Sequence, residues 1–174
     1  MTLLKLSGMV ILAVSFSSTA LAQDSGSYGA IGAATYDFDT YGADFKLGHN
    51  FTENFGIEAQ GIIGLTEDSY RLYNGPDAAT LTQKTDYTIG VFAVGRIPLN
   101  EQFEVFARGG VHNTQYGFEI NNALGTDFES SNTGVAVGAG IQYNLSNRNA
   151  LRLETTYLDN VDSQTSAISF VRKF

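Results

Sequence analysis

Cysteine is absent from the chain, so no disulfide framework supports the fold and no lipid-bearing cysteine follows the N-terminal leader. Proline occurs only twice, against nineteen glycines, a balance suited to long strands whose backbones approach closely rather than to a helical protein. Basic residues are scarce, with 10 Lys and Arg against 18 Asp and Glu. Lys5 lies in the leader, and without it the balance moves from −8 to 9 − 18 = −9. An acidic chain of this kind argues against nucleic acid as a partner. Beyond the leader there is no run of about 18 apolar residues, so no spanning helix is expected. That absence does not bear on membrane strands, which hide their apolar residues at alternate positions. The two histidines, His49 and His112, stand far apart in sequence and form no metal-ligand pattern. No metal and no cofactor are expected.

At the N-terminus Lys5 precedes the apolar stretch Gly8–Phe16, which leads to the small-x-small end Ala20-Leu21-Ala22. This is the pattern of a secretory signal peptide over residues 1–22. A single domain over 23–174, exported to the periplasm, is expected to follow.

From Gly134 onward the chain alternates strictly. Val135, Val137, Ala139, Ile141, Tyr143 and Leu145 fall on one face, and Gly134, Gly138, Gly140, Gln142 and Asn144 on the other. Leu151, Leu153 and Tyr157 then alternate with Arg152, Glu154 and Thr156. Period two marks strands with one apolar face. The same reading predicts eight strands, over 27–38, 41–51, 55–65, 85–99, 103–114, 134–145, 150–157 and 166–174. The turns at Thr52–Asn54, Asn100–Gln102 and Ser146–Asn149 are short. The polar segments 66–84 and 115–131 are predicted as long loops.

The polar face holds Asp44, Lys46, Glu58, Arg96, Arg108, Arg152 and Glu154. Charges of both signs on one face, opposite Val, Ile and Leu, predict a polar interior and an apolar exterior. The expected fold is all-β, an eight-stranded antiparallel up-and-down transmembrane β-barrel. In hydrocarbon every backbone polar group must find a partner within the protein, so the sheet must close. An eight-stranded lumen is only wide enough for side chains to fill, so the seven charges are expected to pair across it. Aromatics at strand ends, among them Tyr28, Phe38, Tyr41, Phe51, Phe55, Tyr87, Phe103, Tyr143, Tyr157 and Phe174, are expected in two interfacial girdles. The rival fold is a soluble lipocalin-like barrel, which would place the apolar face inside.

Tyr41-Gly-Ala-Asp-Phe-Lys-Leu-Gly-His-Asn-Phe-Thr-Glu-Asn-Phe-Gly-Ile-Glu-Ala59 resembles the second hairpin of the OmpA/OmpX-like outer-membrane barrel family. Val105-Phe-Ala-Arg-Gly-Gly110 is similar to that family's fifth strand, and Gly134–Tyr157 to its sixth and seventh. The ordered set covers nearly all of the chain after the leader. The resemblance implies residence in the bacterial outer membrane, contact with its lipid and lipopolysaccharide, and insertion by the barrel-assembly machinery. That machinery reads a terminal strand ending in Phe, which Ile168, Phe170 and Phe174 supply. Arg172 stands where an aromatic is usual. Longer members carry a peptidoglycan-binding domain, which this sequence lacks, so anchoring to the cell wall is not expected.

The first functional reading is a non-enzymatic envelope or surface-interaction protein, which would meet a ligand or host surface through 66–84 and 115–131. A small porin-like channel is the second. A lipid-modifying enzyme is the third, and it would need a nucleophile beside a histidine on the membrane face. His112 is assigned to the lumen and His49 to the outward face near the periplasmic interface. The pair Glu58 and Glu154 reads as lumen ion-pairing rather than acid/base catalysis.

Overall fold

The structure is a computed structural model that describes residues 26–37, 39–71, 80–121 and 126–174. The leader and Phe38 lie outside the described residues.

Nine strand segments follow one another: β1 Gly26–Tyr36, β2 Thr40–Asn50, β3 Phe55–Gly64, β4 Glu67–Arg71, β5 Thr80–Pro98, β6 Phe103–Asn121, β7 Thr126–Asn144, β8 Asn149–Leu158 and β9 Ser163–Lys173. Segments β3 and β4 both pair with β5, so they are one stave interrupted at Leu65–Thr66. Each stave pairs antiparallel with its sequence neighbour, and β1 pairs with β9. The result is a closed antiparallel barrel of eight staves.

Three short turns, over 51–55, 99–103 and 145–149, share one design. In each the N–H of the first residue reaches the carbonyl of the last: Phe51 to Phe55, Leu99 to Phe103 and Leu145 to Asn149. Thr52, Asn100 and Ser146 then accept the N–H three residues on through their side-chain oxygens, at 3.0, 2.8 and 3.1 Å. Local capping of this kind is why such residues favour turns. All three turns lie at one end of the barrel. The ends of β1 and β9 lie there too, where the Phe174 N–H donates to the Ser27 carbonyl.

The opposite end departs from the sequence reading. Of segments 66–84 and 115–131, predicted as loops, the described residues are largely strand, and 72–79 and 122–125 lie outside the described residues. Staves β5, β6 and β7 each run 19 residues, with Glu67–Arg71 paired to Thr80–Lys84 and Tyr116–Ile120 paired across to Thr126–Ser130. The sequence of this sheet carries polar residues at odd and even positions alike. Its alternation is therefore lost although its backbone pairing is not. The last strand also begins earlier than predicted, at Ser163, just after a single 3₁₀ turn Asp159–Val161.

The barrel is sided. Leu153 is 53% exposed, whereas its neighbours Arg152 and Glu154 are 1% and 6% exposed. Twenty-six large apolar side chains of the described residues are exposed, including Ile31, Leu47, Ile89, Val137, Ile141 and Leu151. A belt of that extent far exceeds the apolar patches of water-soluble monomers, so its solvent is lipid. Near the short turns the belt ends in aromatics, with Phe51 against Phe55 and Phe103 against Tyr143.

One girdle assignment is overturned. Tyr28 points inward and is 3% exposed. On β1 both faces carry small residues, so its periodicity does not reveal which one is outside. Ile31 is the large apolar residue that settles it, at 57% exposure.

Candidate functional site

Among the described residues, the lumen is where the barrel concentrates chemistry. The strand period turns Asp44 and Lys46 of β2, Glu58 and Gln60 of β3, Arg96 of β5, and Glu104 and Arg108 of β6 inward. It does the same for Gln142 of β7, Arg152 and Glu154 of β8, and Ser169 of β9. Tyr28 supplies β1. Every stave therefore contributes at least one polar group to the axis.

Glu58 is the hub. Its Oε2 accepts from Arg152 Nη1 at 2.5 Å and from Tyr28 Oη at 2.7 Å, while its Oε1 accepts from Arg108 Nη1 at 2.9 Å. Arg108 reaches onward through Nη2 to Glu154 Oε1 at 2.8 Å and Gln60 Oε1 at 2.9 Å. Lys46 Nζ pairs with Asp44, lies 3.2 Å from Glu154 Oε1 and donates to Ser169 Oγ at 3.1 Å. Arg96 donates through Nη2 to Tyr28 Oη at 2.6 Å, and its Nε lies 3.3 Å from Glu104 Oε1. Among the described residues, four cations and four carboxylates thus balance in this network. Desolvated ions require such pairing, because a lone buried charge costs several kcal/mol.

Guanidinium planes also lie over rings. Arg108 sits 4.3 Å from the Phe92 centroid, and Arg152 lies between Phe106 at 4.8 Å and Tyr28 at 5.1 Å. Inward glycines make room for these rings. A Cβ on Gly48 would meet the Tyr28 ring at 2.1 Å, and one on Gly140 would meet Phe106 at 2.5 Å. Beside the ions, Ile62, Phe92, Val94, Phe106, Ala136 and Leu158 form a buried apolar cluster. Bonds such as Arg152–Glu58 join opposite walls, β8 to β3, so side chains occupy the axis itself.

The seven charges named from the sequence all face the lumen. Six of them, Asp44, Lys46, Glu58, Arg108, Arg152 and Glu154, are joined by direct ion pairs, and Arg96 enters through Tyr28. Glu104, Gln142, Thr156 and Ser169 complete the contacts. Their inward register is the signal that marks them. Ile168, Phe170 and Phe174 all lie exposed on the outer face of the final stretch. Arg172 shares that face and donates to Asn149 Oδ1 at 2.8 Å.

His112 lies in the lumen at 2% exposure. Its Nδ1 is 3.2 Å from Thr114 Oγ1, at the end of a chain running through Thr88 Oγ1 to Tyr36 Oη. His49 lies at the turn end, with Nδ1 3.1 Å from Ser27 Oγ and its ring edge-on to Phe51. Ser27 is a partner the sequence reading missed, and it stands directly opposite His49 in the β1–β2 register. A hydrolytic pair needs its base oriented by a third group. Among the described residues the other neighbour of His49 is an apolar ring, so the pair reads as a cross-strand rim contact.

Comparison with known proteins agrees with this geometry. The sequence matches the family model for the outer membrane protein beta-barrel domain over residues 9–174. No curated protein matches it. Among solved structures, the outer membrane protein OprG from Pseudomonas aeruginosa superposes with a TM-score of 0.63 at 14% identity, covering 87% of this chain and 97% of that one. Ail, the attachment invasion locus protein of Yersinia pestis, solved in complex with the heparin analogue sucrose octasulfate, gives 0.58 at 18% identity, covering 87% and 100%. The N-terminal β-barrel domain of Pseudomonas aeruginosa OprF gives 0.56 at 16% identity, covering 87% and 98%. At these identities the likeness speaks for the fold. The chain belongs to the outer membrane protein beta-barrel domain family and resides in the bacterial outer membrane.

Proposed function

We propose that this protein is a non-enzymatic surface-interaction protein, a plugged barrel that holds an extracellular sheet in place. The observation that carries the reading is the contrast between the barrel's two parts. The lumen is filled by cross-wall ion pairs, while β5, β6 and β7 continue far past the apolar belt. Residues 1–22 serve as the export signal. Insertion by the barrel-assembly machinery uses the terminal strand with Ile168, Phe170 and Phe174, and the belt contacts lipid and lipopolysaccharide.

The projecting sheet offers two features to a partner. First, β7 pairs with β8 only from Ala136 onward, so among the described residues Thr126–Val135 present one backbone edge without a strand beside it. An open edge is a template for strand addition. Second, the loop end is acidic. Positions 37–39, 67–86, 119–129 and 159–162 hold eleven carboxylates against Arg71 and Lys84. A sulfated ligand of the kind bound by Ail would be repelled there, and complementarity favours a cationic partner instead.

The test is a variant in which 67–84 and 115–131 are replaced by tight turns. The barrel is expected to fold and insert normally, while cells carrying it lose binding to cationic peptide-coated surfaces relative to cells with the full chain. Equal binding by both would reject the reading. Steady single-channel currents from the full chain in planar bilayers would favour a channel instead.

A further inference from the structure

At the turn end of the lumen a cavity of about 10 Å³ opens between Asn50, Arg96, Glu104, Gln142, Arg152 and Lys173. A space of that size holds one particle about as large as a water molecule. Its wall is unevenly charged, since Arg96, Arg152 and Lys173 face it against the single carboxylate of Glu104, whose Oε1 has no hydrogen-bond partner. Arg152 is committed to Glu58. Arg96 is not fully used. Its side chain is 3% exposed; Nη2 donates to Tyr28 and Nε faces Glu104, but Nη1 has no protein partner. Among the described residues the Lys173 side chain is held by one 3.5 Å contact, to Asn144 Oδ1.

Gly56 creates the room beside this donor. A Cβ there would lie 3.1 Å from Arg96 Nη1 and 2.9 Å from Asn50 Oδ1. The Asn50 oxygen is buried without a partner. No bond therefore fixes which way round the amide sits, and a half-turn presents its NH₂ to the same space.

We infer that this mouth cavity binds one monovalent, monatomic anion of chloride size, held by Arg96 Nη1, Lys173 Nζ and the Asn50 amide. A buried guanidinium with a spare donor and a second cation beside it gains more from an anion than from a neutral water. The narrowness of the space favours a monatomic ion over phosphate, sulfate and carboxylate groups. The bound ion would tie the ends of β2, β5 and β9 together at the mouth.

The experiment uses the full chain folded in detergent. Crystals grown in bromide are expected to show one anomalous peak within hydrogen-bond distance of Arg96 Nη1. The unfolding midpoint is expected to rise by a few degrees with sodium chloride but not with sodium gluconate at equal ionic strength. Arg96→Lys keeps the charge but loses the forked donors, and should abolish the chloride response. Should that variant fail to fold, Lys173→Gln carries the test, because it leaves the central network intact. A water in place of the anomalous peak, an equal response to gluconate, or an unchanged chloride response in Lys173→Gln would each overturn the inference.

Discussion

Replacing Glu58 by Gln removes one negative charge and changes almost no volume. In the barrel Glu58 accepts from Arg152, Arg108 and Tyr28 together, so the substitution takes the charged partner from two buried guanidiniums at once. Breaking a buried pair by removing one member costs about 3–5 kcal/mol, because the other charge stays desolvated. Part of that loss is recovered here. Arg108 keeps Glu154, Gln60 and Thr156, and Arg152 keeps Gln142 and the faces of Tyr28 and Phe106. The expected loss is therefore near the low end, about 3 kcal/mol. The control is Glu101→Gln in an exposed turn, where surface substitutions stay within about 0.5 kcal/mol. Urea unfolding of the protein in lipid vesicles, followed by the gel mobility of unheated samples, measures both. A Glu58→Gln barrel as stable as the Glu101→Gln control would refute the reasoning. Replacing Glu58, Arg108 and Arg152 together with apolar residues of similar volume is expected to restore most of the loss, since a dry apolar core serves as well as a complete ion network.

Gly48→Val drives its side chain into the Tyr28 ring, and overpacking of this kind is expected to cost about 1–3 kcal/mol by the same unfolding assay. The same substitution at Gly109, where a Cβ meets nothing within 4 Å, should be nearly silent. Leu153→Arg places a cation on the lipid face and should cost about 2–4 kcal/mol in bilayers; a cost near zero would contradict the belt. Ser27→Ala removes the hydroxyl opposite His49 and should leave lipid turnover at the level of protein-free vesicles. Turnover by the parent chain that vanishes in this variant would restore the enzyme reading.

How far the sequence could be read depended on the contrast between the two faces of each strand. On β8, Leu151 and Leu153 against Arg152 and Glu154 leave a single solution, and the barrel's sidedness follows from it. On β1 the faces are Tyr, Ala and Gly against Gly, Ile, Ala and Thr, and size alone misplaced Tyr28. The lumen charges were legible because a membrane barrel has nowhere else to put ions of both signs. Their partners across the axis were not, because register relates strand neighbours and not opposite walls. Glu58 meets Arg152 from a stave halfway round the ring. The extensions of β5 to β7 were illegible for a different reason. Their residues are polar at odd and even positions alike, so backbone pairing there leaves no period in hydropathy. The Ser27–His49 contact follows from the β1–β2 register, which no residue pattern near the N-terminus specifies.

The absence of native cysteine makes sidedness directly measurable. Single cysteines at Val137, Ile141, Leu151 and Leu153, and at the lumen positions Ala136 and Thr156, each carry a fluorophore or spin label in bilayer-reconstituted protein. The first four are expected to be quenched by a lipid-dissolved agent, and Ala136 and Thr156 to be shielded from it. Quenching at Ala136 and Thr156 with Leu151 and Leu153 protected would contradict a barrel that turns its apolar face to lipid and its ions to the axis.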